Sequence, residues 1–396
     1  MAATEMEILL KIGELASLKK KQPDMVLFLG RNGGELIDNA KHCFLESCRN
    51  KYKFQSVFFT ESAHAGSELT SAGIPFLSNL DMDFLSRVAL VVCDDFHWRR
   101  GALEFMTKGA KIFQLWHGIP LKSIGLLQAA TEHQNMQPLR REWLEYGYSG
   151  YDSVLSTSAY VSENIFKQAF GTKEFADLGY PRNDVLLRPL SKLDKLDMLN
   201  APADLLRRMQ AHRKSGGKAV IYMPTFRDYT PFGTIFSGHY LDVEALSAFG
   251  QKTNTLFLLK FHPYVRDFLT SLPENCLFCP PNADVYPLLR FTDMLLTDYS
   301  SIYFDYLLLN RPIHFHIPDK EEYEEKDRKF MLNFDDWTPG HKSRTPEECF
   351  AALEQVLVSG DDGFETERLR MRDILFTQHD DKAAVRCCEF IEKMLG

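Results

Sequence analysis

Short, strongly apolar segments alternate along the chain with longer stretches of helical periodicity. In the first half they are MVLFLG (25–30), SVFFT (56–60), VALVVCDD (88–95), KIFQLWH (111–117) and SVLSTS (153–158). Strands this apolar, separated by helix-length stretches, are typical of a parallel sheet that is covered by helices on both faces. The first half is therefore predicted to be a βα array.

A charged stretch, residues 188–218, interrupts this pattern and ends in Gly216-Gly217. The apolar segments then resume with AVIYMPTF (219–226), TLFLLKFHP (255–263), CLFCPP (276–281), DMLLTDYSS (293–301) and PIHFHIP (312–318). Two successive βα arrays predict an α/β protein with two Rossmann-like domains that face each other across a cleft. We place the first domain at 1–188 and the second at 189–396.

Residues 1–22 are predicted to form an amphipathic helix. Its apolar stripe consists of Ile8, Leu9, Ile12, Leu15 and Leu18, and Lys19, Lys20 and Lys21 follow at its C-terminal end. Such a helix either docks on the core or lies on an anionic membrane surface. The sequence leaves both readings open.

Composition narrows the setting. The chain has 396 residues and a formal charge of −8, which argues against a nucleic-acid partner because phosphate binding needs a dominant basic surface. MAATEMEILLKIG lacks the cationic start of a signal peptide, and no apolar run approaches the ~20 residues that span a bilayer. We expect a cytoplasmic protein, with peripheral contact at the inner face of the membrane as the alternative. The eight cysteines show no disulfide framework, and Cys276 and Cys279 lack the second pair that a zinc site needs.

Ligands of open parallel sheets bind beyond the carboxyl ends of the strands, so the polar residues that follow the apolar segments are the candidates. His117 stands at such an end, Gly118 allows close backbone approach, and Pro120 can start a helix whose first turn includes Lys122. The histidine is either a general base, with an unperturbed pKa of ~6.5, or a structural side chain that satisfies a buried carbonyl.

The second array repeats this arrangement in Lys260-Phe261-His262-Pro263, where the alternative is an ordinary turn. A further strand end carries Asp298, Ser300 and Ser301 before an apolar helix. Free N–H groups and hydroxyls at a helix start bind phosphate, although simple capping explains one serine. Asp298 could orient a ribose hydroxyl or a histidine, or cap the helix.

Two more loops after strand-like segments carry an Arg and an Asp. One holds Arg182 and Asp184, and the other holds Thr225, Arg227 and Asp228. Guanidinium groups suit phosphate oxygens, but each Arg-Asp pair could equally be a structural ion pair. The sequence has no P-loop, G-x-G-x-x-G, H-E-x-x-H or G-x-S-x-G motif, and it shows no metal cage. We therefore expect neither a cofactor nor a metal.

Taken in order, WHGIPLKSIG, GYPRNDVL, YMPTFRD, KFHP and TDYSSIYFDYLLLNRPI resemble the motifs of the CDP-glycerol glycerophosphotransferase family, the teichoic-acid primases and polymerases. GRNGGELIDNAK, VVCDD, TPGHKSRTPEE and FTQHDDKAAVRCCEFI extend the resemblance over nearly the whole chain after residue 24. It implies a GT-B arrangement with CDP bound by the C-terminal domain, and transfer of a polyol phosphate from a CDP-activated donor to an acceptor hydroxyl, with release of CMP. Such acceptors are lipid-linked or oligomeric, and the products belong to teichoic-acid-like or capsular polymers.

The resemblance maps the two family histidines onto His117 and His262 and the serine pair onto Ser300 and Ser301. It implies that His117 takes the proton of the acceptor hydroxyl. His262, the two serines and Arg227 would then stabilise the diphosphate and the leaving CMP. Gly118, Lys122, Arg182, Asp184, Thr225 and Asp298 complete the expected substrate-binding set.

The sequence departs from the family at Ile119, where Thr is usual, and at His379-Asp380-Asp381, where DG is common. Both positions lie where the preference for acceptor or donor is expected to be set, and the family also includes ribitol-phosphate and related capsule enzymes. Two alternatives stay open. One is a sugar-nucleotide glycosyltransferase or epimerase on the same two-domain frame, and the other is a non-catalytic CDP-binding subunit of a polymer-synthesis complex.

Overall fold

The computed structural model describes residues 3–99, 101–132, 136–225, 227, 241–261, 272–327 and 329–396. The chain forms two compact units. Unit 1 contains Met1–His117, Ile124–Asn200 and Phe376–Gly396, and unit 2 contains Gly118–Ser123 and Ala201–Leu375. The units differ from the predicted domains 1–188 and 189–396 in three places. Residues 189–200 and the C-terminal segment from Phe376 belong to unit 1, and a six-residue segment after His117 belongs to unit 2.

Unit 1 is built on a parallel sheet of seven strands in the order β3-β2-β1-β4-β5-β7-β9. A separate pair is formed by β6 and β8. The strands are β1 (Met25–Leu29), β2 (Gln55–Phe59), β3 (Phe76–Leu77), β4 (Leu90–Cys93), β5 (Lys111–Gln114), β6 (Ser149–Tyr151), β7 (Ser153–Ser156), β8 (Gly171–Thr172) and β9 (Phe175–Asp177).

Helices connect these strands. They are α1 (Ala3–Ser17), α2 (Arg31–Gly34), α3 (Asp38–Arg49), α4 (Ala63–Ser71), α5 (Met82–Leu85), α6 (Leu103–Met106), α7 (Gly125–Thr131), α8 (Pro138–Gly147), α9 (Ala159–Val161), α10 (Lys167–Ala169) and α11 (Asp184–Leu187), with α20 (Ala383–Leu395) returning at the C-terminus. A π-helical turn (Ser162–Phe166) joins α9 to α10, and 3₁₀ turns lie at His97–Arg99, Pro181–Asn183 and Leu190–Lys192.

Unit 2 is built on a second parallel sheet in the order β12-β11-β10-β13-β14-β15. Its strands are β10 (Lys218–Met223), β11 (Thr255–Leu259), β12 (Cys276–Phe278), β13 (Met294–Thr297), β14 (Ile313–His316) and β15 (His341–Ser343). Its helices are α12 (Ala203–Lys214), α13 (Val243–Thr253), α14 (Tyr286–Leu289), α15 (Ile302–Tyr306), α16 (Lys320–Lys326), α17 (Phe334–Trp337), α18 (Pro346–Leu357) and α19 (Glu365–Leu375), with a 3₁₀ turn at Leu307–Leu309.

The central strands of both sheets are buried on both faces, as their continuous apolar sequences require. Four of the five residues of β1 are at most 1% exposed, and β11 is buried along its whole length. The predicted α/β class with parallel sheets is thereby confirmed. In each sheet the strand order reverses once, between β1 and β4 in unit 1 and between β10 and β13 in unit 2. Ligands of such sheets bind at these reversal points, beyond the carboxyl ends of the strands.

Three local predictions need correction. The helix predicted to start at Pro120 is absent there, because α7 begins at Gly125 and Lys122 forms an isolated antiparallel bridge with Phe330. The segment KIFQLWH does not stay extended to His117, because β5 ends at Gln114 and Trp116 adopts a left-handed conformation with φ 52°. Helix α1 docks against α6, but through Leu9, Gly13 and Ala16 rather than through the whole predicted stripe. Ile8, Leu15 and Leu18 are exposed instead. Within the described ranges no helix has the length and apolar character needed to cross a bilayer.

Candidate functional site

The carboxyl ends of three neighbouring strands in unit 1 bring polar groups to the reversal point of the sheet. Arg31 follows β1, Asp94 and Asp95 follow β4, and His117 lies three residues beyond the end of β5. Because all three strands are parallel and adjacent, these residues lie along the same sheet edge. This edge is where a ligand of unit 1 is expected.

One hydrogen bond fixes the imidazole ring of His117. Its Nδ1 atom lies 2.9 Å from the main-chain oxygen of Asp94, and since a carbonyl only accepts, Nδ1 carries the proton. Nε2 is then the nitrogen with the lone pair, and it makes no hydrogen bond to another described residue. Burial, followed by the charge of Arg31, lowers the pKa of this ring to about 3. The histidine is therefore neutral near pH 7, with a basic nitrogen in place.

The residue before the histidine holds a strained backbone conformation. Trp116 has φ 52°, which costs a residue with a side chain ~1–2 kcal/mol. Its N–H donates to Oε1 of Gln114 at 3.0 Å, and its carbonyl accepts from Nδ2 of Asn39 at 2.8 Å. Its buried ring lies with its centroid 3.9 Å from that of the His117 ring. These contacts maintain the turn that places His117.

Asp38 links two arginines to this histidine. Its carboxylate pairs with Arg31 NH1 at 3.0 Å and with Arg182 NH1, and the same Arg182 atom donates to the carbonyl of His117 at 2.7 Å. Burial opposes ionisation of Asp38, but the charges of Arg182 and Arg31 outweigh it and lower the pKa of the carboxyl. Arg182 is 3% exposed, and it forms its ion pair with Asp38 and not with Asp184, the partner that its loop offered in the sequence.

Asp184 does not join this group of residues. Its two carboxylate oxygens accept from the backbone N–H groups of Ala383 and Ala384, at 2.9 and 2.8 Å, and so cap the N-terminus of α20. Burial raises the pKa of this carboxyl to about 7, although the two N–H groups oppose the shift. These contacts are structural, and the expected role of Asp184 in substrate binding stays a prediction.

In unit 2 the reversal point joins the loop after β10 to the loop after β13. The carboxylate of Asp298 accepts from the backbone N–H of Thr225 at 2.9 Å and from the Thr225 hydroxyl at 2.7 Å. It also pairs with Arg227 NH1 at 2.5 Å. Asp298 therefore links the loop after β10 to the loop after β13. It does not cap α15, which was one of the roles that the sequence left open.

Arg227 is buried between two carboxylates and two aromatic rings. Nε and NH2 donate to Asp319 at 2.9 and 3.0 Å, and the guanidinium carbon lies 4.9 Å from the ring centroid of Tyr299 and 5.0 Å from that of Tyr323. The two rings are stacked at 3.9 Å, and Lys122 donates to the hydroxyl of Tyr323. With 1% of its surface exposed, Arg227 is enclosed by these contacts, which support the loops, and its expected role at the diphosphate stays a prediction.

Ser300 and Ser301 differ from these buried groups because both are half-exposed. Ser301 precedes α15, but its side chain makes no capping hydrogen bond. The capping alternative therefore does not account for the hydroxyls. Gly118, with φ 133°, belongs to unit 2 together with Lys122, Thr225, Arg227, Asp298 and the serine pair.

His262, the second predicted catalytic residue, lies outside the described residues, as does Asp228. The sequence reasoning assigned no role to Arg31, Asp38 or Asp94. A signal was present, since GRNGG and VVCDD are the polar ends of predicted strands. In the described parts of the chain no cluster of three or more His, Cys, Asp or Glu residues is arranged to hold a metal ion.

Comparison with known proteins finds similarity along nearly the whole chain. The family model described as CDP-Glycerol:Poly(glycerophosphate) glycerophosphotransferase matches residues 13–393. A teichoic acid poly(glycerol phosphate) polymerase of Bacillus spizizenii is 26% identical over 364 residues, which cover 86% of each protein. A protein of the same name from Bacillus subtilis is 25% identical over 86% of this chain, which spans 45% of that relative.

Among solved structures, the wall teichoic acid polymerase TagF superposes with a TM-score of 0.73 at 22% identity. The match covers 98% of this chain and 94% of the TagF chain. At this identity the likeness establishes the fold, and the family match carries the argument about chemistry.

Proposed function

The chain belongs to the CDP-Glycerol:Poly(glycerophosphate) glycerophosphotransferase family, and from this premise we propose that it transfers glycerol phosphate from CDP-glycerol to an acceptor hydroxyl and releases CMP. The observation that carries the proposal beyond family membership is the hydrogen bond from His117 Nδ1 to the Asp94 carbonyl. It leaves a neutral imidazole nitrogen free to accept a proton at a sheet edge where ligands bind.

In the proposed reaction His117 acts on the acceptor. Its Nε2 accepts the proton of the acceptor hydroxyl as the hydroxyl oxygen attacks the β-phosphorus of the donor. The bond from that phosphorus to the bridging oxygen breaks, and CMP leaves with both electrons of the bond. Phosphoryl transfer needs little bonding to the nucleophile before the transition state, so a weakly basic imidazole suffices when it is well placed.

The groups of unit 2 are proposed to hold the donor. Ser300 and Ser301 supply half-exposed hydroxyls at the reversal point, and His262 is assigned to the diphosphate by its family motif. Thr225, Arg227 and Asp298 keep the two loops in register through the contacts described above. Positioning and charge stabilisation of this kind provide most of the catalysis in phosphoryl transfer.

The proposal includes the finer architecture and location. We assign the two units to a GT-B arrangement, with acceptor groups in unit 1 and donor groups in unit 2. The acceptor is lipid-linked or oligomeric, and contact with the membrane is peripheral. Exposed Ile8 and Leu15 of α1, and Leu18 directly after it, are the apolar groups proposed to make that contact.

A product assay tests the activity. The purified protein is given CDP-glycerol, CDP-ribitol or a UDP-sugar with an oligomeric polyol-phosphate acceptor, and CMP release and product mass are followed. We expect CMP and an acceptor lengthened by one glycerol phosphate, with UDP-sugars inert. Turnover of the UDP-sugar would point to the glycosyltransferase or epimerase alternative. Tight CDP binding without turnover of any acceptor would point to the non-catalytic subunit.

A further inference from the structure

Arg31 lies at the sheet edge of unit 1 without a role in the reaction as proposed so far. We propose that its guanidinium binds a phosphodiester group of the acceptor, next to the polyol whose hydroxyl attacks. The inference rests on the proposed transferase function. It makes the enzyme selective for acceptors that already end in a polyol phosphate.

The first support is the position of the residue. Arg31 follows β1, at the point where the strand order of the sheet reverses between β1 and β4. The turn that carries it is fixed by glycines with no room for a side chain. A Cβ on Gly30 would lie 2.1 Å from the carbonyl oxygen of Glu35, and one on Gly34 would lie 2.4 Å from that of Phe59. The backbone of Arg31 is thus held in one place.

The second support is the contrast with Arg182. Both arginines pair with Asp38, but the side chain of Arg182 is 4% exposed and that of Arg31 is 33% exposed. Only NH1 of Arg31 is hydrogen bonded to a described residue. The N–H groups of Nε and NH2 therefore remain available as hydrogen-bond donors. Together they form the planar fork that fits two phosphate oxygens. Arg182 stabilises the site, while Arg31 has N–H donors available to bind a ligand.

The third support is the connection to His117. Asp38 joins Arg31 to Arg182, which in turn donates to the carbonyl of His117. The charge of Arg31 is also the second largest cause of the lowered pKa of the histidine, after burial. A phosphate on Arg31 is therefore close to the acceptor hydroxyl that His117 deprotonates.

The carboxyl groups around Arg31 do not satisfy the guanidinium completely. Asp38 pairs with two arginines, so its single negative charge is shared between them. Asp95 accepts a hydrogen bond from the backbone N–H of Asn32 at 3.2 Å. Burial and the neighbouring Asp38 and Asp95 raise the pKa of Asp94 well above its usual value. An anion from solution can thus still be bound by Arg31.

The chemistry of the acceptor explains which anion this is. In a growing polyol-phosphate chain the terminal polyol carries the attacking hydroxyl at one end and a phosphodiester at the other. An acceptor that ends in a neutral sugar offers no such group. Recognition by Arg31 therefore favours chain extension over initiation.

Kinetics with matched acceptors test the proposal. One acceptor ends in a glycerol phosphodiester, and its partner has the same phosphate methylated to a neutral triester. We expect Arg31→Ala to raise KM for the charged acceptor ~10- to 100-fold, as for a lost charge-assisted contact, and to abolish the preference over the triester. KM for CDP-glycerol should stay within about twofold, because the contact is with the acceptor. Arg31→Lys should restore part of the preference.

Arg87→Ala is the matched control. Arg87 pairs with Asp83 at 3.0 Å and is partly exposed, but it precedes β4 and so lies at the opposite edge of the same sheet. We expect it to leave both acceptors unaffected. Unchanged acceptor kinetics in a folded Arg31→Ala protein would overturn the proposal. A raised KM for CDP-glycerol alone would show that Arg31 binds the donor and not the acceptor. If the wild-type protein shows no turnover, that result contradicts only the proposed function. Calorimetry then measures how tightly wild type and Arg31→Ala bind each of the two acceptors, and this comparison decides the role of Arg31.

Discussion

The Nδ1 atom of His117 lies 2.9 Å from the main-chain oxygen of Asp94, a group that cannot change its protonation state. This bond selects one tautomer of the imidazole independently of pH. A carboxylate partner in the same position would instead stabilise the imidazolium and raise the pKa of the ring. The arrangement thus favours a neutral base with a fixed Nε2.

Replacement of His117 tests this role. His117→Gln keeps polar groups of similar reach but has no basic nitrogen, so we expect transfer to fall by the ~10²–10⁴ typical of a lost general base. Binding of CDP-glycerol, measured by calorimetry, should stay nearly unchanged because donor groups are assigned to unit 2. A folded His117→Gln protein with near-normal transfer would return the residue to a structural role.

The titration of His117 provides a second, independent test. Because burial and Arg31 lower its pKa to about 3, the ring should stay neutral throughout the range from pH 5 to 9. NMR of ¹³C-labelled histidine, with the signal assigned by its loss in His117→Gln, should show no titration near pH 6.5. A midpoint between pH 6 and 7 would contradict the environment described for this ring. The same measurement shows which protonated nitrogen, Nδ1 or Nε2, is present.

Much of the fold follows from the sequence because burial on both faces leaves an unmistakable signal. Each of the ten apolar segments coincides with most or all of a strand, whereas the order of the strands within each sheet comes from the structure. The strands that the sequence did not reveal are short, such as β3 with two residues and β8 with two. So few residues carry no detectable periodicity.

The candidate site was only half predictable. His117 was found because a histidine between an apolar segment and a glycine is visible locally. The partners of Arg227 were not, since Asp319 is 92 residues away and only the fold brings the two together. The contacts of Asp184 were not predictable either, because α20, whose N-terminus it caps, begins 199 residues further along the chain.

The serine pair allows binding and stability to be separated. We expect Ser300→Ala with Ser301→Ala to weaken CDP binding roughly tenfold or more, because hydroxyl contacts to a charged diphosphate are lost. The free energy of unfolding should change by less than about 0.5 kcal/mol, since Ser301 makes no capping bond.

Asp242→Ala is the control for this pair. Asp242 caps α13 in the same unit, and its side chain accepts from the N–H of Ala245 at 3.1 Å. Its removal should cost ~1 kcal/mol of stability and leave CDP affinity unchanged. Normal CDP affinity in the folded double serine variant would remove the phosphate assignment.

Membrane contact is tested at the C-terminal end of α1 and at Leu18, which follows it. Leu15 and Leu18 are 57% and 82% exposed, so their replacement by Asp should not disturb the face that docks on α6. We expect Leu15→Asp with Leu18→Asp to abolish binding to anionic vesicles at low salt in a flotation assay. Leu190→Asp, at a site of 62% exposure outside α1, serves as the control. Vesicle binding that survives the α1 substitutions would place the contact elsewhere.

Asp184 and His117 are expected to change the stability of the folded protein with pH in opposite directions. The pKa of Asp184 is raised to about 7 in the folded protein, so between pH 4 and 7 the folded state holds a proton that the unfolded state has released. Stability from this group is therefore greatest at low pH and falls as pH rises through that interval.

His117 has the reverse slope, because its pKa is lowered to about 3 and the unfolded state binds the extra proton below pH 6.5. Denaturant unfolding at pH 4.5 and 7.5 separates the two groups. Relative to wild type, Asp184→Asn should gain stability as pH rises from 4.5 to 7.5, because it lacks the group that penalises high pH. Relative to wild type, His117→Gln should lose stability over the same rise, because it lacks the group that penalises low pH. The same sign for both variants would show that at least one of these two environments is not as described.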